Sequence, residues 1–395
     1  MTPPSTTIAP EDLVAQVEPI LREYASQAEE ARQLPPQVVA ALREARLFDL
    51  WVPSAYGGLE LDPLPAMQVF EELGRIDGST AWVVSNCAFI AYLCQILPDA
   101  GSDEIFATPR TVVAGAVNPP GIAVPVEGGY RVSGRWPFGS ACHFADWLGS
   151  LCLIMDGEAP RLGPDGHPVL LQVAFKRDEA AIFDTWHTLG MRGTGSADFA
   201  VQDLFVPARR AVALVAFDHP GRAYRGPLYR FGAWIDALRI ASTALGIAGA
   251  ALDALVELAA TKTPNFTQTT LADRTNVQDG VARARAQIDA ARSYIQTTVS
   301  DAWQFVQRTS SPRITVAEGV PLGLAGSFGM QSAVQAVDRV YELAGTTAIR
   351  DEQPFQRYFR DVQTLRQHAI ASANRFESLG KILLGRQSDW GFYYT

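Results

Sequence analysis

The sequence predicts an α+β protein built from three consecutive regions: helices, then strands, then helices again. Apolar residues recur at helical spacing through the first hundred residues and again after Pro227. Between these regions, from Thr111 to about Leu214, short apolar runs are separated by Gly, Pro and Asp, a pattern typical of strands and turns. The changes of pattern place the three regions at residues 1–110, 111–222 and 223–395.

Four helices are predicted in the first region, from about Glu11 and over about Pro36–Ala45, Pro65–Ile76 and Ser79–Leu97. The stretch Pro53–Gly58 has the composition of a loop. Asp77-Gly78-Ser79 separates the last two helices and offers an N-cap for the second of them.

The β-rich region contains one unusual stretch, Gly134–Trp147. It follows a hairpin-like sequence in which Gly128 and Gly129 separate two apolar runs. Two tryptophans and two phenylalanines surround the small residues Gly139-Ser140-Ala141-Cys142. Flat apolar groups beside a hydroxyl and backbone amides suit a planar heterocycle that also needs hydrogen bonds. By itself the stretch fits an ordinary buried strand equally well, so both interpretations stay open.

The third region has four long helical segments, over about Gly232–Thr261, Ala272–Thr309, Thr315–Ala344 and Phe355–Leu384. The apolar run Ala241–Val256 is interrupted by Asp253 and rich in Ala and Gly, which favours a buried helix over a membrane span. No strand-Gly-x-Gly-x-x-Gly-helix unit occurs, since Gly193-Thr-Gly195 lies between strand-like segments, so a nicotinamide-binding Rossmann domain is not expected.

Composition excludes several classes of function. Of the 395 residues 48% are apolar and 19% charged, and the net charge is −9, which argues against nucleic-acid or anionic-membrane binding. The four cysteines form no C-x-x-C pair, so reduced, buried thiols are expected, with neither a metal site nor a disulfide. The N-terminal residues lack the features of a signal peptide, and we expect a cytoplasmic protein.

Five motifs resemble the acyl-CoA dehydrogenase superfamily, in the right order over nearly the whole chain. They are Tyr56-Gly57-Gly58, Leu189-Gly-Met-Arg-Gly-Thr194 with the later Val206-Pro207, Leu245–Ala248, Ala344-Gly345 and Gln356–Asp361. The resemblance implies an N-terminal helical domain, a middle β-domain and a C-terminal four-helix bundle, with a flavin between the last two.

The choice of branch depends on the residues after Arg360. In the dehydrogenases a Glu nine residues after this Arg is the common catalytic base; here that position is Ala369, preceded by His368. The sequence Arg360–His368 is similar instead to the reduced-flavin-dependent (group D) monooxygenases of the same fold, as are Trp136–Ser140 and Ile76–Trp82. These include the oxygenase components of p-hydroxyphenylacetate hydroxylase, dibenzothiophene monooxygenase and the amino-sugar nitrososynthases.

This resemblance implies the oxygenase component of a two-component monooxygenase. Reduced FMN or FAD would come from a separate NAD(P)H:flavin reductase, and O2 would form a C4a-hydroperoxyflavin that oxygenates a small aromatic or heterocyclic substrate, or a heteroatom. Members are usually homotetramers in which the region of Gly345 reaches a neighbour's flavin.

The resemblance also implies the site residues. Ser140 would donate a hydrogen bond to flavin N5 through its hydroxyl or its backbone N–H, and His368 would supply a proton or hydrogen bond. The residues expected to bind the cofactor are Asn118 in a turn, Trp136, Phe138, Gly139, Ser140, Arg192, Gly193, Thr194, Ser196 and Gly345. Structural roles stay open for three of them: Ser140 as a small strand residue, Arg192 as a surface arginine and His368 as a core or surface histidine.

The residues expected to face the substrate are Trp82, Asn86, Ile90 and Tyr92. Phenol-hydroxylating relatives carry a histidine at about the position of Ile90, and its absence leaves oxidation at a heteroatom, which needs no phenolate, as open as hydroxylation. Asn86 or Tyr92 could orient a substrate, and core roles for both also stay open. Two rival functions remain. One is an acyl-CoA dehydrogenase or oxidase with a base elsewhere, such as Glu257, and the other is a non-catalytic flavin-fold binding protein.

Overall fold

The computed structural model describes residues 9–164, 166–214, 220–309, 311 and 313–391. The N-terminal region contains six helices: α1 Pro10–Ala15, α2 Glu18–Ala31, α3 Pro36–Glu44, α4 Pro63–Ile76, α5 Gly78–Leu93 and α6 Asp99–Ile105. The predicted helices are confirmed, except that the first is divided in two and α6 was not predicted. Asp77 caps α5 as expected, since its carboxylate accepts hydrogen bonds from Thr80 N (2.8 Å) and Thr80 Oγ1 (2.6 Å).

One eight-stranded sheet follows the helices. Its strands are β1 Val113–Val126, β2 Gly129–Gly139, β3 Trp147–Asp156, β4 Ala159–Pro160, β5 Leu170–Lys176, β6 Ala181–Phe183, β7 Ala197–Pro207 and β8 Ala211–Ala213. The order is β6-β7-β2-β1-β3-β5-β8, with β4 paired to β3. Among the strand pairs of the described residues, only β1 and β3 run parallel. The predicted hairpin is confirmed: Val126 pairs with Gly129, and Gly128 takes the left-handed conformation (φ +79°) that its turn requires.

The turn predicted at Asn118-Pro-Pro120 is wrong. These residues lie within β1, where the register with β3 shifts between Ala116 and Gly121. Because proline has no N–H to donate, the strand passes this point as an irregularity and does not reverse.

Five helices form the C-terminal region: α7 Ile235–Thr261, α8 Thr275–Arg308, α9 Val316–Ala344, α10 Phe355–Leu365 and α11 Arg375–Leu383. The fourth predicted segment, Phe355–Leu384, is therefore wrong as a single helix. It breaks after Leu365 into tight turns, in which His368 N–H bonds Leu365 O and Ala371 N–H bonds His368 O. No glycine or proline marks this break in the sequence, and it places His368 in a turn rather than on a helix.

Two helices are long and apolar enough to cross a membrane by length and composition alone, Gly78–Ile96 and Pro227–Thr261. In the most apolar window of each, 89% and 61% of the residues are buried inside the protein. Helix α5 lies between the sheet and α7, and α7 packs against α4, α5 and α9. Both are therefore core helices of this fold.

Helices α4 and α7 cross at a pair of glycines. A Cβ on Gly246 would lie 2.0 Å from Glu71 O, and one on Gly74 would lie 2.5 Å from Thr243 O. Real atoms do not approach so closely, so the crossing depends on the missing side chains.

We expect Gly246→Ala to lower the free energy of unfolding by about 1–3 kcal/mol, because the added methyl group must push the two backbones apart. The control is Gly380→Ala in α11, where a Cβ meets no atom within 4 Å. That change should be neutral or stabilise by about 0.5–1 kcal/mol. Urea denaturation checks both, and equal midpoints for the two variants would contradict the close crossing.

Candidate active site

A chain of buried hydroxyl groups connects the end of β2 to the turn before β7. Trp82 Nε1–H donates to Ser140 Oγ (2.9 Å), Ser140 Oγ lies 2.7 Å from Ser196 Oγ, and Ser196 Oγ lies 2.7 Å from Thr194 Oγ1. The chain ends where Thr194 Oγ1 donates to Met191 O (2.8 Å). Ser140, Thr194 and Ser196 are each at most 4% exposed.

The direction of this chain follows from proton counting. Thr194 Oγ1 donates to Met191 O, which can only accept, and this bond uses the single Thr194 hydroxyl proton. Thr194 must then accept from Ser196, and Ser196 must accept from Ser140. Ser140 Oγ has therefore used its proton and one lone pair, on Trp82, and it keeps one lone pair. Towards a ligand, Ser140 Oγ acts as a hydrogen-bond acceptor, and the Ser140 N–H already donates to Phe138 O (2.9 Å). The structure therefore does not present Ser140 as the donor that the resemblance implies.

The backbone around Ser140 is sharply turned. Phe138 and Ala141 have positive φ angles of 63° and 65°, which are uncommon for residues with a side chain. Such strain is typical of functional sites, where the surrounding structure holds it in place. The turn leaves Phe138 67% exposed, with its ring edge-on to Trp186.

His368 lies beside the start of this chain. Its ring is packed edge-on against the Trp82 indole, with 5.1 Å between centroids. Ile370 N–H approaches His368 Nδ1 at 3.4 Å, which favours the tautomer with the proton on Nε2. The turn after α10 thus brings His368, from the third region of the sequence, into contact with Trp82, from the first.

Burial lowers the pKa of the His368 imidazole from 6.5 to about 3, and the positive charge of Arg239 acts in the same direction. Part of the residue's surface stays accessible, but any downward shift leaves the ring neutral at pH 7. His368 is therefore suited to donate a hydrogen bond through Nε2–H, not to act as an imidazolium acid.

A buried ion pair, which was not predicted, contacts the Trp82 ring. Arg239 Nη2 lies 2.5 Å from Asp236 Oδ1, and the guanidinium lies over the rings of Trp82 (5.1 Å) and Phe89 (4.9 Å). Only long contacts join it to Ser85 Oγ (3.4 Å) and Asn86 Oδ1 (3.5 Å). The signal that could have found it is a charged i, i+3 pair inside the apolar sequence of α7.

The structure brings together Trp82, Asn86, Ser140, Thr194, Ser196 and His368 from the predicted set. Ile90 lies on the same helix, α5, but near the position of Gly149 in β3. Gly139 ends β2, where a Cβ would strike the Phe199 ring at 2.5 Å, and a Cβ on Gly193 would lie 3.0 Å from Ser79 Cβ. Both glycines allow close packing around the chain.

Two predicted site residues are core residues instead. Trp136 is fully buried between Phe175 and Phe199, and its indole N–H donates to Leu151 O (3.0 Å). Tyr92 is also fully buried, and its hydroxyl donates to Gly232 O (3.1 Å). Neither ring has surface left for a ligand, so the structure does not place them in the site.

Three other predicted residues lie outside the hydroxyl chain. Asn118 is exposed in β1, and Arg192 faces Glu29, to whose backbone oxygen it donates (3.3 Å). Gly345 ends α9 with φ +58°, next to the ammonium group of Lys262. The four cysteines are buried and unpaired, as expected.

The residues present fit a flavin. A flavin ring offers N–H and C=O groups in one plane, and the site offers a lone pair on Ser140 and a donor on His368. It also offers Arg239 Nε, a buried nitrogen without a hydrogen-bond partner among the described residues. Among those residues no group of three His, Cys, Asp or Glu side chains could hold a metal ion.

Comparison with known proteins agrees with this fit. Residues 12–106 match the acyl-CoA dehydrogenase N-terminal domain, and residues 238–373 match the C-terminal domain. The chain is 31% identical to the indole-3-acetate monooxygenase of Pseudomonas putida over 90% of its own length and 88% of that protein's. It is 28% identical to the flavin-dependent monooxygenase oxygenase subunit HsaA of Rhodococcus jostii, over 90% and 93% of the two chains.

Solved structures agree as well. XiaF from a Streptomyces species, in complex with FADH2 and glycerol, superposes with a TM-score of 0.88 at 27% identity, over 96% of this chain and 97% of that one. The chain belongs to the acyl-CoA dehydrogenase family. Within it, the chain falls in the branch of flavin-dependent monooxygenases, which confirms the fold class and the branch inferred from the residues around His368.

We expect the His368 imidazole to stay neutral in the folded protein down to about pH 4 in the absence of flavin, because its folded pKa lies well below 6.5. The unfolded chain binds the extra proton first, so wild-type stability should fall as the pH drops from about 6.5 towards 3. His368→Asn removes this group, and its loss of stability over the same range should be smaller. Urea denaturation at several pH values measures the difference; parallel curves for the two proteins would contradict the lowered pKa.

Proposed function

We propose that this chain is the oxygenase component of a two-component flavin-dependent monooxygenase. It takes reduced FMN or FAD from a separate NAD(P)H:flavin reductase and oxygenates a small aromatic or heterocyclic substrate, on carbon or on a heteroatom. The observation that carries the proposal is the directed hydroxyl chain, which leaves Ser140 with one unused lone pair, while a neutral histidine packs against the Trp82 ring that donates to Ser140.

When bound, a reduced flavin supplies the electrons and activates O2. Ser140 would accept a hydrogen bond from a ring N–H of the reduced flavin and so hold that proton in place. Oxidised flavin lacks this N–H, so the interaction selects the reduced form. Trp82 and Ser196 fix the Ser140 hydroxyl on two sides, which removes the cost of orienting it when the ligand binds.

His368 would donate through Nε2–H to an oxygen atom at the site. A neutral imidazole can donate a hydrogen bond to an oxygen atom at pH 7 without transferring its proton. This suits a group that must stabilise a reactive oxygen and not protonate it early. The Trp82 ring, which contacts His368 and donates to Ser140, adjoins both groups, and an aromatic ring suits a flat substrate. The indole-3-acetate monooxygenase relative supports an aromatic substrate for this chain.

Several finer points belong to the same proposal. We propose three regions, at residues 1–110, 111–222 and 223–395, and a cytoplasmic location. We also propose a homotetramer in which Gly345 faces a neighbour's site. The exposed position of Gly345 at the end of α9 supports this contact. Arg192, Gly193 and Phe138 border the hydroxyl chain in sequence and are proposed as outer contacts of the cofactor.

The acyl-thioester alternative is less well supported. Its base would have to lie beside the flavin, but Ala369 has no acidic group and Glu257 is exposed on α7. The buried carboxylate of Asp236 is held by Arg239 at 2.5 Å.

The test is a single-turnover stopped-flow reaction, in which protein loaded with reduced FMN or FAD is mixed with oxygenated buffer. We expect an absorbance transient distinct from both reduced and oxidised flavin. Ser140→Ala should shorten its lifetime about 10-fold or more, since the variant loses a hydrogen bond worth about 1–3 kcal/mol to a buried partner.

The matched control is Ser150→Ala. Ser150 is also a buried serine of the sheet, 1% exposed, but its hydroxyl has no hydrogen-bond partner among the described residues. The absorbance transient of Ser150→Ala should last as long as that of the wild type. Direct return to oxidised flavin in the wild type, with no transient, would refute the proposal and favour the thioester alternative.

A further inference from the structure

A buried carboxylate of α10, Asp361, meets the turn that carries the hydroxyl chain. Asp361 is 2% exposed, and its Oδ1 accepts the Met191 N–H at 2.5 Å. Its Oδ2 lies 3.7 Å from Arg357 Nε. Burial raises the pKa of this carboxyl to about 7, while Arg357 and the Met191 N–H oppose the shift. The protein thus keeps an acidic group where burial is costly, which needs an explanation.

Met191 is the residue at which the hydroxyl chain ends. Its backbone has a positive φ of 54°, and its carbonyl accepts from Thr194 Oγ1 (2.8 Å), Thr194 N (3.2 Å) and Trp186 Nε1 (3.1 Å). Asp361 holds the N–H of the same residue. The strained conformation that points the carbonyl at Thr194 is therefore fixed from its other side by a carboxylate of α10.

Two neighbours of Asp361 on α10 fix the residues just before Met191. Thr364 Oγ1 accepts from Gly190 N (3.0 Å), and Arg360 Nη1 donates to Leu189 O (2.6 Å). A Cβ on Gly190 would lie 2.2 Å from Arg360 O, so the turn and the helix are in direct backbone contact. Three successive residues of the turn are thus attached to one helix.

The same network reaches the other end of the hydroxyl chain. Arg357, the partner of Asp361, also pairs with Asp77, the N-cap of the helix that carries Trp82. Arg357 donates to Ala25 O (3.3 Å) as well, and its Nε lies 3.9 Å from Glu29 Oε2. Asp361 and Arg357 therefore connect α2, α5 and the turn before β7 through α10, the helix whose end leads to His368.

We propose that Asp361 is a positioning residue for the oxygenase reaction: by binding Met191 N–H and Arg357, it sets the end of the hydroxyl chain and its start at Trp82. The inference rests on the proposed function for its catalytic meaning. Its structural part, that Asp361 holds the turn of residues 189–196, does not.

Three variants separate the contributions. Asp361→Ala leaves the Met191 N–H without its partner. Asp361→Asn keeps an oxygen that can accept this N–H but removes the charge that faces Arg357, so its effect should be intermediate. Gln363→Ala is the control: it lies two residues further along α10, and its side chain donates to Asp338 (2.7 Å), away from the turn.

The first measurement is hydrogen–deuterium exchange of the flavin-free protein, followed by mass spectrometry of peptides covering residues 187–197. Asp361→Ala should exchange there about 5-fold faster or more than the wild type, since an unpaired buried amide costs about 1–3 kcal/mol. Asp361→Asn should lie between the two, and Gln363→Ala should match the wild type. Unchanged exchange in both Asp361 variants, or an equal increase in Gln363→Ala, overturns the positioning role.

The second measurement is the lifetime of the absorbance transient in the stopped-flow reaction with oxygenated buffer, which overall destabilisation of the fold does not change in molecules that remain folded. It should shorten in the order wild type, Asp361→Asn, Asp361→Ala. If Asp361→Ala does not fold, the lifetime in Asp361→Asn must still be shorter than in both the wild type and Gln363→Ala, and equal lifetimes contradict the proposal. If the wild type shows no absorbance transient, the proposed function is refuted but the positioning role is not. The exchange experiment still decides whether Asp361 holds the turn of residues 189–196.

Discussion

The polarity of the site depends on one carbonyl group. Because Thr194 Oγ1 donates its only proton to Met191 O, Ser196 must donate to Thr194 and Ser140 to Ser196, and Ser140 is left as an acceptor. Had the chain ended at a donor, the same three hydroxyls would point the other way and Ser140 would present a proton. The hydrogen-bonding role of Ser140 thus depends on the backbone carbonyl of Met191, which belongs to another turn.

The electrostatics around this chain are consistent with the same role. His368 is kept neutral by burial and by Arg239, whose own charge is compensated by Asp236. A neutral donor, a directed acceptor and a paired cation lie around the Trp82 ring. Such preorganised groups need little reorganisation during a reaction, which is the main source of electrostatic catalysis.

The sequence predicted features that depend on local chemistry. The Asp77 cap, the Gly128 turn and the change from helical to strand-like spacing follow from a few neighbouring residues, and all three were confirmed. The break after Leu365 was missed because it has no glycine or proline, and it arises from packing against other elements. Trp136 was misplaced because an aromatic ring in a strand has the same sequence pattern on either face of the sheet.

The pairing of Asp236 with Arg239 was missed for a related reason. Hydrophobic periodicity predicts which face of α7 is buried, but not that a charged pair lies within the buried face. Likewise, the motif Gln356–Asp361 could be found by resemblance, whereas its contact with Met191 requires the tertiary structure because 170 residues separate the partners.

The most direct test of the account is a comparison of two reduced cofactors under anaerobic conditions. Reduced 5-deazaflavin has a carbon in place of N5 and so lacks the N–H that Ser140 would accept. We predict that the wild type binds reduced flavin about 2- to 10-fold more tightly than reduced 5-deazaflavin, as expected for one net hydrogen bond, and that Ser140→Ala removes this preference. Equal affinity of the wild type for both cofactors, or an unchanged preference in Ser140→Ala, would contradict the central claim.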